Sequence, residues 1–201
     1  MDVLLATRNP GKLAELRRML VAAEVSGVRV LGLADVPEFP EEPETGATFA
    51  ENALAKARDA VKATGLPAVA DDSGLAVDAL NGMPGVLSAR WSGHHGDDRA
   101  NLELVLGQLA DVPDDRRGAA FVCAAALAVP GGDEVVVHGE WTGRLARAPR
   151  GGNGFGYDPV FVPDGEERTA AELAPEEKDA LSHRGRAMRA LLPHLRALGG
   201  S

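Results

Sequence analysis

The chain has 201 residues, of which 45% are hydrophobic and 25% charged, the make-up of an ordinary globular protein, and it reads as a single domain over residues 1–201. Its 21 Lys and Arg against 30 Asp and Glu give a net charge of -9, which excludes a global positive field for a nucleic-acid backbone. An acidic protein can still hold a phosphorylated small molecule where basic groups are focused locally or a divalent cation bridges like charges.

Val3 to Ala6 is a short apolar run, preceded by Asp2 and broken at Thr7-Arg8-Asn9-Pro10, so the start lacks the pattern of a secretory signal. Leu13, Leu16 and Leu20 then recur at helical spacing, which predicts strand, loop and helix, with Asn9 as N-cap, Pro10 at the first helical position and free amides facing outward. Val28 to Leu33 reads as a second strand, and Pro37 to Glu44 as an exposed acidic loop. Thr48-Phe49-Ala50-Glu51 fits a capping box, opening an Ala-rich helix that Gly65 ends. Two apolar strands, Pro67 to Ala70 and Leu75 to Leu80, are expected to flank an acidic turn at Asp71-Asp72-Ser73-Gly74.

A turn at Asn81 to Gly85 precedes a helix beginning near Asp97, marked by Leu102, Val105, Leu106 and Leu109. Ala119 to Val129 and Glu134 to Trp141 read as a hairpin around Pro130-Gly131-Gly132-Asp133. The one cysteine, Cys123, lies in its first apolar run and excludes an internal disulfide. Beyond a glycine-dense loop from Arg150 to Tyr157, Pro159 to Val162 is a short strand, and Thr169 to Leu198 is helical with a break near Ser182 to Gly185. The class is α/β with a mixed sheet. With no run of about 18 apolar residues for a spanning helix, the protein is expected to be cytoplasmic, with neither nucleic acid nor membrane as partner.

Four segments carry candidate chemistry. Thr7, Arg8, Asn9, Pro10, Gly11 and Lys12 combine a helix start with a lysine, which suits phosphate, and equally describe a capped surface turn. In Asp71-Asp72 adjacent carboxylates at a strand end point to opposite faces, so one can face the core while the other binds a hard cation, with Glu44 a second carboxylate, although the same residues are ordinary turn chemistry. Phe155, Gly156, Tyr157 and Asp158 set two aromatics among glycines, where they build core poorly and suit stacking on a base. Lys178, His183 and Arg184 suit a phosphate or keto oxygen, or a solvated helix face. His94-His95 has no ligand partner at zinc spacing, and Ser73 lies in no nucleophile elbow.

In order, Thr-x-Asn-x-x-Lys from Thr7, Glu-Thr-Gly-x-Thr-Phe-x-Glu-Asn-Ala from Glu44, Ala-Asp-Asp-Ser-Gly-Leu from Ala70, Ser-Ala-Arg from Ser88, Gly-Phe-Gly-Tyr-Asp-Pro from Gly154 and Ser-His-Arg-Gly from Ser182 resemble the inosine/xanthosine triphosphate pyrophosphatase family over nearly the whole chain. The resemblance implies an elongated α/β protein with a curved central mixed sheet, two lobes around an active-site cleft, and a homodimer. It also implies Mg2+-dependent hydrolysis of ITP, dITP and XTP to the monophosphate and pyrophosphate. Carried onto this chain, Thr7 to Lys12 hold phosphates, Glu44 and Asp72 bind the metal, and Asp72 is the base for water. Ser73, Phe155 to Asp158, Lys178, His183 and Arg184 line the nucleotide pocket. Arg8 departs from the family, where a small residue is common. Two alternatives stay open. The Ser-His-Arg-Gly and Phe-Gly-Tyr-Asp motifs disfavour a related pyrophosphatase for modified pyrimidine triphosphates, and the Glu44 and Asp72 pair argues against a non-catalytic nucleotide sensor.

Overall fold

The computed structural model describes residues 1–40 and 42–200, so Glu41 of the acidic loop lies outside the described residues. Apolar runs become strands β1 (Asp2–Leu5), β2 (Arg29–Leu31), β3 (Ala68–Val77), β4 (Gly118–Ala128), β5 (Glu134–Leu145) and β6 (Phe161–Pro163). The helically spaced segments become α1 (Pro10–Ala22), α2 (Phe49–Thr64), α3 (Asp98–Gln108), α4 (Pro175–Leu181) and α5 (His183–Gly199). The strands form one mixed sheet in the order β2-β1-β3-β4-β5-β6. In it β1 runs parallel to β2 and β3, and β6 runs antiparallel to β5. The α/β class with a mixed sheet is the one read from the sequence.

Boundaries shift where hydrogen bonding overrides the apolar pattern. The second strand is cut to three residues because the Gly32 amide donates to the Asp35 carboxylate and starts a 3-10 turn at Leu33–Asp35. The start of β6 is delayed by the turn in which the amides of Val160 and Phe161 donate to the Tyr157 carbonyl. A larger correction concerns Asp71 to Gly74, which is no turn: β3 runs unbroken through it and Asp71 and Asp72 are buried. Turn propensity there is outweighed by the partners that both carboxylates meet along the extended chain.

The chain forms two compact units. One comprises residues 1–72, 123–139 and Arg184 onward; the other comprises 73–122 and 140–183. In the first, Leu16 and Leu20 of α1 and Met188, Leu191 and Leu195 of α5 pack with Val3, Leu5 and Val69 of the sheet. A layer of alanines, Ala53 and Ala57 of α2 with Ala70, Ala124 and Ala126, lets that helix approach the strands closely. The core of the second unit joins Leu75, Val77, Leu102, Val105, Tyr157 and Leu173, with Phe161 tilted against Phe121 and Trp141 at centroid distances of 4.6 and 5.5 Å.

The capping of α2 matters because this helix carries two of the polar side chains of the site. Thr48 accepts the Glu51 amide at 3.1 Å, while the Glu51 carboxylate takes the amide of Ala47 and not that of Thr48, so half of the expected box forms. Gly65 ends the helix in the left-handed region at φ 70°. Thr48→Ala should lower the unfolding free energy by about 1 kcal/mol, read as a lower urea midpoint with an unchanged slope.

Candidate active site

Because side chains alternate along β3, its two aspartates meet different neighbours. On one face, Lys12 of α1 donates to Asp71 at 2.5 Å, and Arg184 of α5 brings its Nε within 3.5 Å of the same oxygen. Arg184 also pairs through Nη1 with the buried Glu15 and donates from Nη2 to the Lys12 carbonyl at 3.4 Å. Burial alone would raise the Asp71 carboxyl, but the charges of Lys12 and Arg184 and the Lys12 hydrogen bond outweigh it and hold the group well below the usual carboxylate range. On the other face, Asn52 donates to Asp72 Oδ2 at 2.9 Å, and Lys56 lies 3.5 Å from Oδ1 while pairing with Glu44. Burial prevails here over Lys56 and Asn52, and with Glu44 adding to it the Asp72 carboxyl is raised. Burial works against the charge on Lys56, yet Asp72 and Glu44 hold its ammonium above the ordinary value.

The Thr7 to Lys12 loop differs from expectation in one respect. Its amides do not stand open: Asn9 accepts the Gly11 amide at 2.9 Å, Thr7 Oγ1 accepts that of Asn9 at 3.2 Å, and Pro10 has none. Positive charge at this helix start therefore comes from Lys12 and the helix dipole. Arg8, exposed, lines a recess with Leu33, Val36, Pro37 and Phe39.

In the second unit the glycine-dense loop leaves Phe155 63% exposed, with the Lys178 ammonium 5.0 Å from its ring centroid. Lys178 in turn pairs with Asp158, whose carboxylate also accepts the Phe155 amide at 2.9 Å. Burial raises the Asp158 carboxyl against both contacts. Gly154, at φ 77°, leaves room for this carboxylate, since a Cβ there would lie 2.0 Å from it. The amides of Gly152 and Asn153 donate to the Ala171 carbonyl, which ties that part of the loop to the protein. Tyr157 departs from expectation. It is 5% exposed, packs in the core, and donates its hydroxyl to the Ser88 carbonyl at 2.8 Å. Among the described residues Ser73 Oγ is buried without a hydrogen-bond partner, and His183 stacks on Phe121 at 4.9 Å.

Sequence reasoning missed Asn52, Lys56 and Glu15. The first two stand four residues apart in an alanine-rich helix, which places them on one face, and that spacing is the signal that marks them. Glu15 lies between Leu13 and Leu16 on the buried side of α1, an unusual position for a carboxylate.

A family model described as the Ham1 family matches residues 3–194. A relative in Nocardia farcinica named dITP/XTP pyrophosphatase is 70% identical over 98% of this chain and 95% of its own. Among solved structures, a nucleoside-triphosphatase / dITP/XTP pyrophosphatase from Mycobacterium abscessus is 69% identical, with a TM-score of 0.81 over 97% of this chain and all of its own. A HAM1 protein from Coxiella burnetii is 44% identical, with a TM-score of 0.88 over 98% and 99% of the two chains.

The buried Glu15, Arg184 and Asp71 cluster makes a stability prediction. Arg184→Met removes the guanidinium from two buried carboxylates and should cost about 3–5 kcal/mol in urea unfolding. Adding Glu15→Leu should recover part of that loss, because one unpaired charge goes with it.

Proposed function

The chain belongs to the Ham1 family, and on that premise we propose that it hydrolyses the non-canonical purine triphosphates ITP, dITP and XTP to monophosphate and pyrophosphate. The observation that carries this reading is the convergence of Glu44 and Asp72 on one cationic group, the Lys56 ammonium, while Lys12 and Arg184 meet the adjacent Asp71 on the other face of β3. A polyanion can be processed where cations and carboxylates interleave in this way.

The donor set fits Mg2+. No cluster of three or more His, Cys, Asp or Glu side chains suited to a metal occurs among the described residues, but Mg2+ is commonly held by one or two carboxylates, with phosphates and water completing its shell. Glu44 and Asp72, already turned toward one positive group, would hold it. When bound, it neutralises phosphoryl oxygens and makes water more acidic.

The protein's own groups do the rest. Asn52 fixes Asp72 at Oδ2, and Asp72 Oδ1 takes the proton of the attacking water. The water oxygen bonds to phosphorus as the α–β anhydride bond breaks, and pyrophosphate leaves with the electron pair. Lys12, Lys56 and the rest of the Thr7 to Lys12 loop bind the phosphates. Phe155 stacks on the base, flanked by Gly156, Asp158 and Lys178, with Ser73 and His183 as polar contacts. Tyr157 acts from the core by anchoring this loop. Arg184 retains N–H groups beyond those given to Glu15 and Lys12, and these suit the purine 6-keto oxygen, where ATP would present a second donor. The same reading takes the protein as a cytoplasmic homodimer of single domains. No helix among the described residues is long and apolar enough to cross a membrane.

Asp72→Asn should keep the fold and lose kcat by roughly 100- to 10,000-fold at saturating Mg2+, in a pyrophosphate-release assay; near-wild-type turnover would remove Asp72 from both roles. Base recognition is tested by the ratio of kcat/KM on ITP and ATP, which is insensitive to the fraction of folded enzyme. Arg184→Ala should narrow that ratio, whereas Phe155→Ala should weaken both substrates alike, by about 1–3 kcal/mol. An unchanged ratio in the Arg184 variant would assign that residue to structure or phosphate.

A further inference from the structure

The exposed Phe155 is held in place partly from outside its own loop. Asp158 takes the Phe155 amide, but this is a contact three residues along the same chain. Tyr157 anchors the following position through Ser88. Between them Gly156, at φ 60° and without a side chain to pack, donates its amide to Asp98 Oδ2 at 2.9 Å, and Asp98 lies 58 residues away on α3. The carboxylate is not occupied in starting that helix, because Asp97 is the N-cap and accepts the Ala100 amide.

Resting on the reading that Phe155 stacks on the base, we infer that Asp98 is a positioning residue for nucleobase binding, fixing the Phe155 ring through the Gly156 amide. Gly156 directly follows Phe155, and a glycine with a loose amide samples many backbone conformations. Tying that amide to the first turn of a helix restricts the conformers available to Phe155 before substrate arrives. Without the tie, only the fraction of molecules with a correctly placed ring would bind at full strength, which weakens apparent affinity and leaves the chemical step alone.

The test compares Asp98→Ala, Asp98→Asn and Phe155→Ala in steady-state kinetics with ITP, together with inhibition by inorganic tripolyphosphate, which has no base. Asp98→Ala should raise KM for ITP about 3- to 10-fold, as for one lost exposed hydrogen bond, with kcat and tripolyphosphate inhibition unchanged. Asp98→Asn keeps an acceptor and should restore KM. The inference is overturned if Asp98→Ala leaves KM unmoved while Phe155→Ala raises it, if the Asn variant is as impaired as the Ala variant, or if tripolyphosphate binding weakens by the same factor. Should Phe155→Ala also leave KM unmoved, the stacking reading itself falls and the role of Asp98 falls with it.

Discussion

Two consecutive carboxylates in the middle of a buried strand must be met by positive or donor groups on both faces, and the layout around β3 answers that constraint. Taking an ion out of water costs several kcal/mol even after relaxation, so an unpaired Asp71 or Asp72 would not stay charged at these depths. Lys12 and Arg184 reach one face from α1 and α5, while Asn52 and Lys56 reach the other from α2. The compensation is unequal. Asp71 has two cations close to it and its carboxyl is held low; Asp72 has a neutral amide and a more distant ammonium, and its carboxyl is raised. The two neighbours are thereby set apart in how readily each takes up a proton.

Backbone amides are handled in a related way. The sequence predicts free amides at the first turn of α1, and the structure gives those of Asn9 and Gly11 to acceptors of the protein, as it does those of Phe155 and Gly156 in the glycine-dense loop. Positive charge is then concentrated in a few long side chains, Lys12, Lys56 and Arg184, set against Asp71, Asp72, Glu44 and Glu15. That cluster sets three cations against four carboxylates. The loop around Phe155 offers an exposed aromatic surface.

Much of this was legible from the sequence, because the signals involved are local. The Asn9 and Thr48 caps, the left-handed Gly65, the hairpin turn at Pro130 to Asp133 and the helical recurrence of leucines each depend on residues within a turn or two of one another. The alternation of a strand likewise sends Asp71 and Asp72 to opposite faces wherever the strand lies. The motif series from Thr7 to Gly185 carried the family, since order and spacing along a chain are properties of the sequence itself.

What the tertiary structure alone decided concerns groups whose partners are remote in the chain. Arg184 meets Glu15 across 169 positions and Lys12 meets Asp71 across 59, and no local pattern records such meetings. For that reason the segment from Asp71 to Gly74, rich in turn formers, is strand, and Tyr157, placed among glycines, is core: charge compensation in one case and apolar packing in the other outweigh a local preference of at most about 1 kcal/mol per residue. Propensity acts on each residue alone, whereas burying a charge or an aromatic ring is settled by everything that packs against it.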